Sequence, residues 1–184
     1  MENERVILGI DPGTTIMGYG VIRETAGVPE VVTLGYIDLA KLQDHPLKLK
    51  KIFERTLQLI DQYLPDEIAI ESPFYGRNVQ SMLKLGRAQG VAMAAGLYRS
   101  VPIFEYAPLK IKLSITGYGN SSKQQVASVL KRQLKMDELP VNLDATDGLA
   151  AALCHFYRSP FSETKAGYKT WKDYVNKNRD RLKK

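Results

Sequence analysis

One stretch near the N-terminus narrows the architectures open to this chain. Val6-Ile7-Leu8-Gly9-Ile10 is a short apolar run that reads as a buried strand, and Asp11-Pro12-Gly13 stops it abruptly. Asp11 therefore takes the last position of a hydrophobic strand, where the backbone turns away. A carboxylate held against a core loses its water, so it needs a metal, backbone N–H groups, or a hydroxyl such as Thr14 or Thr15. An Asp that merely caps a Pro-Gly turn reads the same way. What separates the two is whether other elements also end in carboxylates.

The order of elements frames that question. Gly18–Arg23 and Val31–Ile37 read as two further strands around Gly27-Val28-Pro29, giving a meander of three antiparallel strands. Apolar residues from Leu47 to Leu64 then recur at helical spacing until Pro65. Glu67-Ile68-Ala69-Ile70-Glu71 is a fourth strand, entered from a helix and so expected parallel to the first. A helix over about Val79–Arg99 follows, carrying Gly86, Gly90 and Gly96. Interior helical glycines cost about 1 kcal/mol each, which implies close packing by the sheet or by a second subunit. Pro102–Tyr106 reads as a fifth strand and Pro108–Thr116 as a short helix. Ser121 with Gln124, or Ser122 with Gln125, opens a helix to about Leu134 as a capping box. A last helix runs from near Asp144 to about Tyr157, with Leu149, Ala152, Leu153 and Phe156 as its buried stripe. Three strands, helix, strand, helix, strand, then helices describe an α/β layer structure with a five-stranded mixed sheet, an order that resembles the ribonuclease H-like arrangement by analogy alone.

Composition excludes several classes of chemistry. With one cysteine, Cys154, and two histidines far apart, neither an intramolecular disulfide nor a Cys/His zinc site is available. Cys154 and His155 are adjacent in a helix, cannot face each other, and read as packing residues. No apolar run approaches the roughly 20 residues of a membrane span, and the N-terminus has no signal-peptide core, so a cytosolic setting without membrane contact is expected. The net charge of +6 lies in the last twenty residues, with eight basic and two acidic side chains from Lys165 to Lys184. The expected organisation is one domain over residues 1–159 and a basic tail over 160–184 that contains Trp171 and Tyr174. Such a tail suits nucleic acid and equally suits a solvated terminus.

Glu71 mirrors Asp11 as an acid that ends an apolar strand, and parallel neighbours would bring both to one sheet edge. Asp144 and Asp147, three apart, share a helical face. They can also serve as ordinary helix-start acids. Four acids at element ends are accounted for together by two Mg²⁺ or Mn²⁺ ions about 3.5–4 Å apart, the arrangement used for phosphodiester hydrolysis.

Gly9-Ile10-Asp11-Pro12-Gly13, Ala69-Ile70-Glu71, Leu83-Lys84-Leu85-Gly86, Phe104-Glu105-Tyr106-Ala107-Pro108 and Asp144-Ala145-Thr146-Asp147 resemble, in order and spacing, the RuvC family of Holliday junction resolvases. The match runs from about Arg5 to Tyr157. The resemblance implies a ribonuclease H-like fold, a homodimer, a branch-migration helicase complex as partner, and Mg²⁺-dependent paired nicking of four-way DNA junctions in recombination and repair. By that similarity Asp11, Glu71, Asp144 and Asp147 are the metal-binding catalytic tetrad. Phe74 matches an aromatic placed to stack on an unpaired base, a role Tyr75 can share. Lys112 and Lys123 match lysines that contact phosphates or stabilise developing charge. Arg77, Asn78, Lys84 and Arg87 are further expected DNA contacts. Gly148 stands where the family commonly has alanine, a change expected to loosen the helix start. Three other readings compete: a related nuclease on other branched DNA, a non-catalytic DNA-binding or scaffolding protein, and a nucleotide-binding ATPase, since Asp11-Pro12-Gly13-Thr14-Thr15 is similar to the phosphate loop of the actin and Hsp70 superfamily. That superfamily carries a duplicated fold and a second Asp-x-Gly loop, which 184 residues and Asp147-Gly148 do not supply.

Overall fold

The computed structural model describes residues 4–74, 76 and 78–158. Its strands are β1 (Glu4–Asp11), β2 (Ile16–Thr25), β3 (Val28–Asp38), β4 (Glu67–Glu71) and β5 (Ile103–Tyr106). The helices are α1 (His45–Tyr63), α2 (Val79–Tyr98), α3 (Pro108–Thr116), α4 (Lys123–Gln133) and α5 (Asp144–Arg158). The strands form one sheet in the order β3-β2-β1-β4-β5, antiparallel through β3, β2 and β1 and parallel from β1 to β4 to β5. This is the ribonuclease H-like arrangement expected from the sequence.

Strand periodicity divides the core in two. Leu8, Ile10, Ile68 and Ile70 face α1 and α2, while Ile7 and Ala69 face α3, α4 and α5. The same alternation sends the side chains of Asp11 and Glu71 to the α5 side. Each helix stops where its chemistry says it should. α1 closes with Leu64 in the left-handed region before Pro65, and α3 closes on Gly117 at φ 76°. α4 opens on the Ser122–Gln125 capping box, which selects between the two registers the sequence allowed.

α5 lies directly on β1 and β2. A Cβ added at Gly148 would come within 2.4 Å of the Tyr19 Cα, and one at Gly20 within 2.5 Å of the Leu149 Cα. Gly148 is thus a packing glycine whose missing side chain lets the helix touch the strand backbone. At the far edge of the sheet, Arg5, only 6% exposed, donates to Glu24 (3.1 Å) and through Nε to Glu67 (2.8 Å). His155 joins the same carboxylate (2.8 Å) and meets the Tyr106 hydroxyl at 2.6 Å. Burial works against the Glu67 carboxylate, but its bonds to His155 and Arg5 hold its pKa below the usual range. This network ties the C-terminal half of α5 to the starts of β1 and β4 and leaves its N-terminal half to the opposite rim. His155 is therefore a bonded bridge as well as a packing residue.

Candidate active site

Ile10 of β1 pairs with Ile70 of β4, and the next residue of each strand is Asp11 and Glu71. Both carboxylates emerge side by side where parallel strands end. The first turn of α5 reaches them because Asp11 pairs with Gly18, and a Cβ on Gly18 would lie 2.1 Å from the Asp144 carbonyl oxygen. Only glycine admits the helix start there. Asp144 and Asp147 thereby face the two strand-end acids.

The capping reading of Asp144 and Asp147 does not describe this helix start. Asn142 Oδ1 accepts from the Asp144 backbone N–H (2.9 Å). The two carboxylates instead hold the Lys123 ammonium, Asp144 through Oδ1 and Asp147 through Oδ2 at 2.6 Å. Asn142 escaped the sequence reading, although an Asn two residues before an acidic helix start is itself a cap signal.

The electrostatics show how closely the four acids act on one another. Burial, then the Asp147 carboxylate, pushes Asp11 up to about 7. Burial, then Asp11 and Asp147, pushes Glu71 up to about 8, with Lys112 and Lys123 pulling the other way. Asp147 is raised chiefly by burial, against the pull of Lys123. Burial works against the Lys123 charge, yet its bonds to Asp144 and Asp147 raise its pKa. Among the described residues Asp11 and Glu71 have no hydrogen-bond partner, so Thr14 and Thr15 do not compensate Asp11. No three acidic, His or Cys side chains among the described residues are closed to metal-holding distance. The donor chemistry nevertheless fits a hard divalent cation, with oxygen ligands from three elements that raise one another's pKa. A protein cation, Lys123, already bridges two of them.

The remaining expected residues fall as follows. Lys112, on α3, is close enough to act on both Glu71 and Asp147. Phe74, in the loop after Glu71, is 71% exposed, so it does not fold back on the core. Asn78 is the N-cap of α2, its Oδ1 accepting from the Ser81 N–H at 3.1 Å. Lys84 and Arg87 are exposed on the early turns of α2. Tyr75, Arg77 and the tail 160–184 lie outside the described residues.

Residues 7–155 match the family model described as crossover junction endodeoxyribonuclease RuvC. A protein of that name from Bacteroides fragilis is 60% identical over 182 residues, covering 98% of this chain and 97% of the relative. One from Christiangramia forsetii is 59% identical over 183 residues, covering 100% and 95%. Among solved structures, Thermus thermophilus RuvC in complex with Holliday junction substrate superposes with a TM-score of 0.76 at 29% identity, covering 84% of this chain and 94% of that one.

Proposed function

The chain belongs to the crossover junction endodeoxyribonuclease RuvC family, and on that premise we propose that it resolves four-way DNA junctions by paired hydrolysis of two phosphodiester bonds. The observation that carries the reading is the convergence of Asp11, Glu71, Asp144 and Asp147 at one sheet rim, where Asp147 and Asp144 raise Asp11, and Asp11 and Asp147 raise Glu71. Asp11, Glu71, Asp144 and Asp147 would together hold two Mg²⁺ ions, with Asp11 flanked by both Glu71 and Asp147, and Mn²⁺ suits the same donors. Bound there, the ions would supply an activated water and charge neutralisation at phosphorus. The chain's own residues do the rest. Lys112, beside Glu71, is placed to offset charge developing on the phosphate oxygens. Lys123 keeps Asp144 and Asp147 together before DNA arrives and is placed to pair with the phosphate once those acids turn to the metal. Water forms the new P–O bond, and the broken strand leaves as the free hydroxyl end. Phe74, exposed and next to Glu71, suits stacking on a base unpaired at the crossover, worth about 1–3 kcal/mol.

Two cuts in opposite strands require two copies of this site related by a two-fold axis. The outer face of α2 suits the contact. Val79, Leu83, Gly86, Gly90, Ala94 and Leu97 form one exposed stripe, and a Cβ added at Gly86 or Gly90 would meet nothing of this chain within 4 Å. Of the three α2 glycines, Gly96 alone packs on the sheet, against Ile68 and Ile103. The other two are left for a second copy. A compartment holding the chromosome, the cytoplasm, follows from the substrate.

The test is cleavage of a synthetic four-way junction with Mg²⁺, beside a linear duplex of the same sequence. Symmetric nicks in the junction alone are expected; equal cutting of both substrates, or none of either, would overturn the assignment.

A further inference from the structure

A second charged cluster lies on the other face of the sheet. His45 and Lys48 occupy the first turn of α1, and Lys84 and Arg87 lie one turn apart on α2. The two helices pack side by side over the core formed by Leu8, Ile10, Ile68 and Ile70. His45 and Lys48 continue the α1 stripe of Ile52, Thr56 and Leu59, so they sit where its buried face runs out at the sheet rim. Lys48 donates to the Thr14 carbonyl oxygen at 2.9 Å. Thr14 is three residues past Asp11, at most about 11 Å of chain away.

The cluster has cations and no matching acids. Among the described residues none of the four side chains makes a salt bridge to a carboxylate. Asp44, next in sequence, is exposed and makes no cap hydrogen bond. The His45 Nε2 is buried with no hydrogen-bond partner. Burial, then Arg87, Lys84 and Lys48, hold the His45 pKa down, which shows that all three cations act on this imidazole. The three like charges gathered across the helix seam repel one another, and an incoming anion relieves that repulsion. Lys48 keeps two donors after its bond to Thr14, and His45 offers the unpartnered Nε2.

We propose that His45, Lys48, Lys84 and Arg87 form a phosphate-binding seam that grips the backbone of a junction strand as it leaves the four-acid centre across the α1–α2 face. The seam deepens the junction-nuclease reading and rests on it. β4 runs into α2 past Glu71, and β3 runs into α1 from Asp38, which pairs with Ile16 near Asp11. Both helix starts thus share the rim that carries the acids. Contacts from cationic side chains to phosphate oxygens carry no sequence information, so the seam adds affinity without sequence preference.

The experiment is a salt titration of four-way-junction binding, followed by fluorescence anisotropy in an Asp147→Asn background that cannot cut. Each lost phosphate contact lowers the slope of log affinity against log salt by about 0.9. Lys84→Gln with Arg87→Gln is expected to flatten the slope by about one to two and to weaken binding roughly tenfold near 150 mM salt. Lys48→Gln should flatten it further and Lys48→Arg should restore it. Lys50→Gln removes the same charge from outside the seam, beside Glu54, and should leave the slope unchanged. Slopes equal to the parent's in the seam variants, or an equal change from Lys50→Gln, would overturn the proposal. A parent that binds junction no better than duplex would sink the junction reading instead, and the slopes on duplex would still decide the seam.

Discussion

Asp11 and Glu71 are held in a state that a lone carboxylate avoids at neutral pH. With pKa values near 7 and 8, they keep protons that a divalent cation must displace. Metal binding to the DNA-free protein should therefore tighten from pH 6 to pH 9 and release protons. Calorimetry in two buffers of different ionisation enthalpy reads that release directly; affinity that is flat across this range would separate the raised carboxylates from the metal. Asp147→Asn keeps the shape of the helix start while removing a charged ligand. It should retain junction binding and lose cleavage by more than the roughly 10–100-fold that follows loss of an outer-shell partner. Single-turnover cleavage beside a binding assay checks both halves. Asp11 and Glu71 were legible in the sequence because an apolar strand that ends in an acid is a local pattern. The Lys123 bridge was not, because its three residues come together only when α4 and α5 pack.

Among the elements, α5 carries the most constraint, since one end delivers two acids and the other is fixed by Arg5, Glu67 and Tyr106. Its contact with β2 is backbone on backbone. Gly148→Ala would force a methyl to within 2.4 Å of the Tyr19 Cα. That substitution improves helix propensity, yet here it should destabilise the protein by about 1–3 kcal/mol or shift α5. Denaturant unfolding decides, and an unchanged midpoint would mean that the seat opens freely. The element order was readable from prolines, glycines and the capping box, whereas the seat of Gly18, Gly20 and Gly148 was not. A glycine needed for close approach looks in sequence like one that merely loosens a helix. α2 shows the converse case, with Gly86 and Gly90 left open on an apolar outer stripe. Leu83, 51% exposed, contributes little to the folded monomer. Leu83→Glu should leave the melting transition of the monomer near the parent's and shift sedimentation from dimer to monomer. Junction cutting should then change from paired to single nicks. A variant that stays dimeric would move the two-fold contact to another face.

For the molecule as a whole, the acidic rim and the fold make opposite demands near neutral pH. A carboxyl whose pKa is raised by folding favours the folded state below its unfolded value, near 4, and that contribution disappears as pH rises through its folded value. For Asp11 and Glu71 the loss starts near pH 4 and is complete only above about pH 7 and 8 respectively. Glu67 and His45, both lowered, act the other way, but their contributions are lost only as pH falls below about 4.5 and 6.5 respectively. Between pH 6.5 and 8.5 the acidic rim therefore sets the sign. Metal-free protein should lose stability across this window, by up to about 1.4 kcal/mol per pH unit for each proton still held. Asp11→Asn removes one buried charge together with its repulsion of Glu71, so it should melt higher than the parent at pH 8 and show a shallower fall. Thermal melts at half-unit pH steps in a chelating buffer test this. Addition of Mg²⁺ should then restore the parent at pH 8 and leave Asp11→Asn nearly unmoved, because the substituted protein has already traded the site for stability. A parent curve that rises over this interval would mean that the four carboxylates are compensated by contacts other than one another, and the electrostatic account of the rim would fail with it.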